Sequence, residues 1–144
     1  MTKRITRLVS YYTKLFSTND PFKIAKNLGI FISFNPLGNI AGMYKYIEHA
    51  KWIFINSDIE DENFLRIVMA HELGHALLHR KENCCFMAHH TLLLTSKIER
   101  QANIFAAKLL ISDDMLNEYK GFTIDQFSSC TGIDNNLIEL RLNT

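Results

Sequence analysis

The sequence predicts an α+β fold: a small, largely antiparallel sheet beside two motif-bearing helices, with further helices at both ends. Two observations lead there. Runs rich in β-branched and aromatic residues, Ile30 to Phe34, Ile40 to Tyr46 and Lys51 to Asn56, fall together in one stretch of chain. Before and after that stretch, apolar residues recur at helical spacing, with capping residues in front of most of the runs.

Ile5, Leu8, Val9, Tyr12 and Leu15 give the first segment one buried stripe, ending near Ser17. Asp20 and Pro21 begin a short second helix, which Gly29 closes. The three strands follow, the first two separated by the turn residues Pro36-Leu37-Gly38-Asn39. Ser57 to Glu60 resembles a capping box, and from Asp61 the residues Phe64, Leu65, Val68, Met69, Leu73, Ala76 and Leu77 repeat with helical period to about Arg80. Lys81 to Thr95 lacks a period and reads as a connection. Ser96 then caps a helix carrying Ile98, Ala102, Phe105, Ala106, Leu109 and Leu110, and short helices begin at Ser112, Thr123 and Asp134.

A chain of 144 residues with 47% hydrophobic content suits one domain spanning 1–144, in which 115–144 forms a C-terminal helical subregion. Sixteen basic against fifteen acidic residues give a net charge of +1, which offers no broad attraction to nucleic acid or to an anionic membrane. No apolar run approaches the roughly 20 residues of a membrane span, and the N-terminus lacks a signal-peptide pattern, so a cytoplasmic location is expected. Cys84, Cys85 and Cys130 fit neither a disulfide framework nor a metal knuckle and read as reduced thiols.

His71-Glu72-Leu73-Gly74-His75 lies within the long helix. Positions four apart are separated by about 400° of turn and roughly 6 Å of rise, so both imidazoles face one way and can meet one zinc ion. Glu72 can then approach a water on that ion without ligating it. A third ligand must come from elsewhere. His79 lies about 12 Å along the axis from His71 and about 80° around it, too far to share the ion on an unbroken helix. Glu99 opens the next helix and can fold back onto the pair, although Ser96-Lys97-Ile98-Glu99 also matches a capping box in which Glu99 merely satisfies an amide. Asn103, one turn further on, is a candidate for orienting a ligand.

The stretches Val68-Met69-Ala70-His71-Glu72-Leu73-Gly74-His75-Ala76-Leu77-Leu78-His79 and Ile98-Glu99-Arg100-Gln101-Ala102-Asn103-Ile104-Phe105-Ala106-Ala107-Lys108-Leu109-Leu110 together resemble the ImmA/IrrE metallopeptidases. The resemblance extends from about Ile24 to Leu142 and departs at Ser112, where the family often has proline. It implies that Glu99 is the third ligand of one Zn²⁺ per chain. It also implies a protein substrate, a helix-turn-helix repressor of a phage or mobile element, whose cleavage switches on the genes it silences.

The expected chemistry is metal-assisted peptide hydrolysis with Glu72 as base, and Tyr44, Tyr46, His89 and His90 are candidate donors to the transition state. Zinc over manganese or iron rests on ligand type and the resemblance, since two imidazoles and a carboxylate suit other ions as well. An exposed edge among the strands from Ile40 to Asn56 would accept an extended substrate segment. The alternative is an antirepressor that sequesters the repressor without cutting it. A DNA-reading role for Thr123 to Leu142 is disfavoured by its single cation, Arg141.

Overall fold

The computed structural model describes residues 1–87 and 96–144. Helix α1 (Thr2–Phe16) turns Ile5 into the core, with Leu8, Val9 and Tyr12 beside it, and ends at Ser17 in the left-handed region. In α2 (Pro21–Asn27) the Asp20 carboxylate accepts from the Phe22 amide, the expected cap. Strands β1 (Phe31–Asn35), β2 (Ile40–Ile47) and β3 (Ala50–Asn56) follow. The hairpin from β2 to β3 turns on two residues only, Glu48 and His49, both at positive φ (48° and 66°), the backbone twist that a two-residue hairpin requires.

The sheet has the order β1-β3-β2-β4, where β4 is Cys84–Met87. β1 runs parallel to β3, with Phe31 opposite Trp52, while β2 is antiparallel to both β3 and β4. Two corrections to the sequence reading follow. The segment taken as a featureless connection contains β4, whose four residues are too short to display an alternation of their own. Both β2 and β3 are interior strands, so among the described residues the edges of the sheet are β1 and β4.

Helix α3 (Glu62–Leu78) is capped by Asp61, whose carboxylate accepts from the Asn63 and Phe64 amides. The Ser57–Glu60 stretch lies outside the helix. There the Asn56 side chain accepts from the Leu37 and Asp58 amides and donates to the carbonyls of Gly38 and Ile40, tying the strand ends together. Ten consecutive residues of α3, Ile67 to Ala76, are buried. The sheet covers one side of the helix and α4 (Lys97–Leu110) another. An amphipathic stripe was expected here, yet the middle of this helix is enclosed all round.

Two glycines set how closely these layers approach. A Cβ on Gly42 of β2 would lie 2.8 Å from Val68 Cγ1 and 3.2 Å from Glu72 Cγ. One on Gly74 would lie 3.1 Å from the Phe105 Cβ and 3.3 Å from the Ala102 Cα. The sheet and α4 thus press on α3 at distances that leave no room for a methyl group.

Helices α5 (Asp113–Glu118), α6 (Ile124–Thr131) and α7 (Asn135–Leu142) complete the chain. α7 packs on α4 and buries Leu137 and Ile138. Arg141, the one cation between Thr123 and Leu142, donates to the Ile111 carbonyl at 2.8 Å and pairs with Asp113 at 2.6 Å, so it serves the interior contact rather than a phosphate. No helix among the described residues is long and apolar enough to cross a membrane. Overpacking at the two glycines predicts that Gly42→Ala and Gly74→Ala each lower stability by about 1–3 kcal/mol. Urea unfolding should show a lower midpoint at unchanged slope, and a Gly42→Ala protein as stable as the parent would refute the close approach.

Candidate metal centre

The helical spacing of His71 and His75 brings their Nε2 atoms to 3.1 Å from each other, with the rings edge to face. Glu99, in the first turn of α4, reaches both: Oε2 lies 2.9 Å from His71 Nε2 and Oε1 lies 3.1 Å from His75 Nε2. The Ser96 hydroxyl caps α4 by accepting from the Glu99 amide. The Glu99 carboxylate does not complete the box but turns to the histidines. Both imidazoles are fully buried, and the Glu99 side chain is 13% exposed, so the cluster stands at the edge of the core.

The other ring nitrogens fix what this cluster offers. His71 Nδ1 lies 2.7 Å from the Asn103 amide oxygen and donates to it. Behind His75 runs a longer chain: His79 Nε2 donates to the Gln101 oxygen at 2.7 Å, which leaves His79 Nδ1 as acceptor for the Nδ1 proton of His75 at 3.0 Å. With Nδ1 as the donor, each ring in its neutral form presents the Nε2 lone pair to Glu99. Burial lowers the pKa of His75 and of His79, which favours the neutral form of both. His79 thus stands behind His75, and Gln101 anchors it.

Two lone pairs and a carboxylate converge with no proton of their own to share, an arrangement that calls for a cation. Donors about 2.0–2.2 Å from a tetrahedral ion stand about 3.3–3.5 Å apart, a few tenths of an ångström beyond the spacings seen here, so the residues fit a metal ion with minor outward adjustment. Glu72 supports the same conclusion. Its two carboxylate oxygens are buried without a hydrogen-bond partner among the described residues, and a ligand atom from each of His71, Glu72 and His75 lies within 4.8 Å of the others. Burial, and then the charge of Glu99, push the Glu72 pKa well above the usual carboxylate range.

Other candidates lie elsewhere. Tyr44 is fully buried and donates its hydroxyl to the Arg80 carbonyl at 2.6 Å; burial pushes its pKa up to about 12. Tyr46 stands under the Arg80 guanidinium and edge-on to His49. His89 and His90 lie outside the described residues. Three neighbours escaped the sequence reading. Phe86 of β4 stacks on His71 with ring centroids 4.0 Å apart, Gln101 ends the His79 chain, and Cys84 brings a thiol beside His75 and Glu99. Only the Cys84-Cys85 pair had drawn notice, and nothing in its spacing tied it to the helix.

A His-Glu-x-x-His helix in the core of an α+β domain, with a carboxylate from the next helix turned onto both histidines, is the architecture of a metallopeptidase. Residues 25–126 match the family model described as the IrrE N-terminal-like domain, and the chain belongs to that peptidase family. It is similar to the metallopeptidase ImmA of Bacillus subtilis strain 168, at 31% identity over 149 residues that span 97% of this chain and 85% of that protein. It is also similar to a protein of Bacillus phage phi105 called uncharacterized immunity region protein 2, at 36% identity over 140 residues, 95% of this chain and 88% of that one.

The orphaned carboxylate predicts a pH dependence. The folded protein binds the Glu72 proton more tightly than the unfolded chain does. The stability this group contributes is therefore complete below the unfolded carboxyl pKa and is lost as pH rises through the raised folded value. In metal-free protein at neutral pH, Glu72→Gln should raise stability by roughly 1–3 kcal/mol and flatten its decline with pH. Thermal unfolding of chelator-treated samples on both sides of neutrality measures this; a variant no more stable than the parent would mean that the buried charge goes unpenalised.

Proposed function

We propose that the protein is a zinc-dependent endopeptidase in which His71, His75 and Glu99 hold the metal and Glu72 is the catalytic base. The observation that carries this reading is the unpartnered Glu72 carboxylate, buried beside a cluster of three acceptors. A metal that only staples a fold needs no free carboxylate next to it, which argues against the antirepressor that sequesters without cutting. Zinc over manganese or iron follows the family resemblance, since two imidazoles and a carboxylate suit other ions as well.

A divalent ion in this site would supply Lewis acidity, lowering the pKa of a water and polarising the scissile carbonyl. The chain's residues do the rest. Glu72 takes the water proton and, being shielded from solvent, keeps it until the leaving amine accepts it. Its raised pKa suits the first step, because a more basic carboxylate competes better for the water proton. Asn103 and the His79–Gln101 pair hold the two imidazoles in the ligating tautomer. β4, which carries Phe86 against His71, is the sheet edge beside the site and replaces β2 and β3 as the strand onto which an extended substrate would add.

The proposed substrate is a helix-turn-helix repressor of a phage or mobile element. It is supported by the similarity to a phage immunity-region protein and to ImmA. The protein is read as cytoplasmic, the compartment of such a repressor.

Native mass spectrometry should find one zinc per chain, lost in His75→Ala. His79→Ala should keep the site but weaken zinc binding about 10–100-fold, as loss of an orienting partner does. With a candidate helix-turn-helix repressor as substrate, Glu72→Gln should abolish cleavage while retaining the metal. Cleavage that persists in Glu72→Gln would remove the assigned base, and absence of zinc from the parent protein would leave the binding-module reading in front.

A further inference from the structure

Cys84 opens β4 and is buried, whereas Cys85, the next residue along the strand, is exposed. The Cys84 sulfur and a ligand atom from each of His75 and Glu99 lie within 4.8 Å of one another. On its other side, the only hydrogen bond it makes among the described residues is a long one, 3.8 Å, to the carbonyl of Glu82. His71, Glu72 and His75 form a second such group that shares His75 with this one. The two oxygens of Glu72, buried there with no hydrogen-bond partner among the described residues, are a second sign that a positive ion belongs at this place.

We infer that Cys84 is a fourth protein ligand, whose thiolate closes the metal site in the resting protein until substrate displaces it. The inference rests on the metal site proposed above. A thiolate on a tetrahedral ion sits about 3.5 Å from nitrogen or oxygen donors on the same ion, and a sulfur within 4.8 Å of the His75 and Glu99 donors has little more than about 1 Å at most to close. As the sulfur–metal bond forms, the thiol proton leaves to solvent, as it does whenever a cysteine binds a metal. Four protein ligands make a closed site of the structural kind; three make an open one of the catalytic kind. Exchange between sulfur and substrate would convert one into the other, a latency built from a single side chain on the strand that borders the cleft.

Cobalt substitution tests this without reference to activity. The parent, Cys84→Ser and Cys85→Ser proteins would each be loaded with Co²⁺ alone, their metal content measured and their near-ultraviolet absorption compared. The expected result is one cobalt per chain in all three, with an intense sulfur-to-metal charge-transfer band in the parent and Cys85→Ser and loss of that band in Cys84→Ser. X-ray absorption of the zinc-loaded parent, which needs no variant, should show a sulfur scatterer at about 2.3 Å. Bound metal with only nitrogen and oxygen neighbours, or a band that survives in Cys84→Ser, would overturn the assignment while leaving the three-ligand site intact. Failure of the parent to bind either metal would instead strike at the site itself, and this inference would fall with it.

Discussion

Two imidazole lone pairs and a carboxylate meet within about 3 Å of one another on the seam between α3 and α4, and much of the surrounding architecture keeps them there. Left alone they repel. Water would screen them, but His71 and His75 are sealed between sheet and helix, where an unpaired polar group costs several kcal/mol. The protein meets that cost at the rear of each ring, by giving every Nδ1 a partner, and leaves the front for an ion.

This explains an oddity of α3. A helix whose middle ten residues are all buried would ordinarily be apolar throughout, yet this one carries two histidines and a glutamate. Polar partners must therefore come from the neighbouring element, and α4 supplies Glu99, Gln101 and Asn103 within two turns. The small residues at the contacts, Gly74 and Ala102 on one side and Gly42 on the other, let the backbones come close enough for those short side chains to reach.

Much of this was legible beforehand. Caps at Asp20, Ser96, Ser112, Thr123 and Asp134 marked five helix starts correctly, because capping chemistry is local. The start of α3 was marked three or four residues early, since Ser57 and Glu60 mimic a box while Asn56 holds that turn for a different purpose. The convergence of His71 and His75 followed from helical geometry alone. From spacing alone Glu99 was ambiguous between cap and ligand, and only the resemblance favoured the ligand; in the fold the Ser96 hydroxyl caps the helix while the Glu99 carboxylate faces the two histidines. Tyr44 reads as a donor in the sequence, and in the fold its hydroxyl donates to the Arg80 carbonyl, a partner 36 residues away that no local pattern announces. The strand at Cys84, the Gln101 anchor and the Phe86 stack depend on long-range pairing, which no local pattern announces.

The enclosure of α3 also bears on the order of events as the chain emerges during synthesis. Apart from the local His75–His79 contact, the bonds that satisfy His71 and the His75–His79 pair span 22 to 32 residues and end on α4, so while α3 has left the ribosome and α4 has not, Glu99, Gln101 and Asn103 cannot replace the water around these rings. Final docking of α3 on the sheet must wait for α4, although the β2–β3 hairpin can form without it. Until then the nascent chain exposes an apolar sheet face and an uncommitted helix together, the kind of intermediate that chaperones attend.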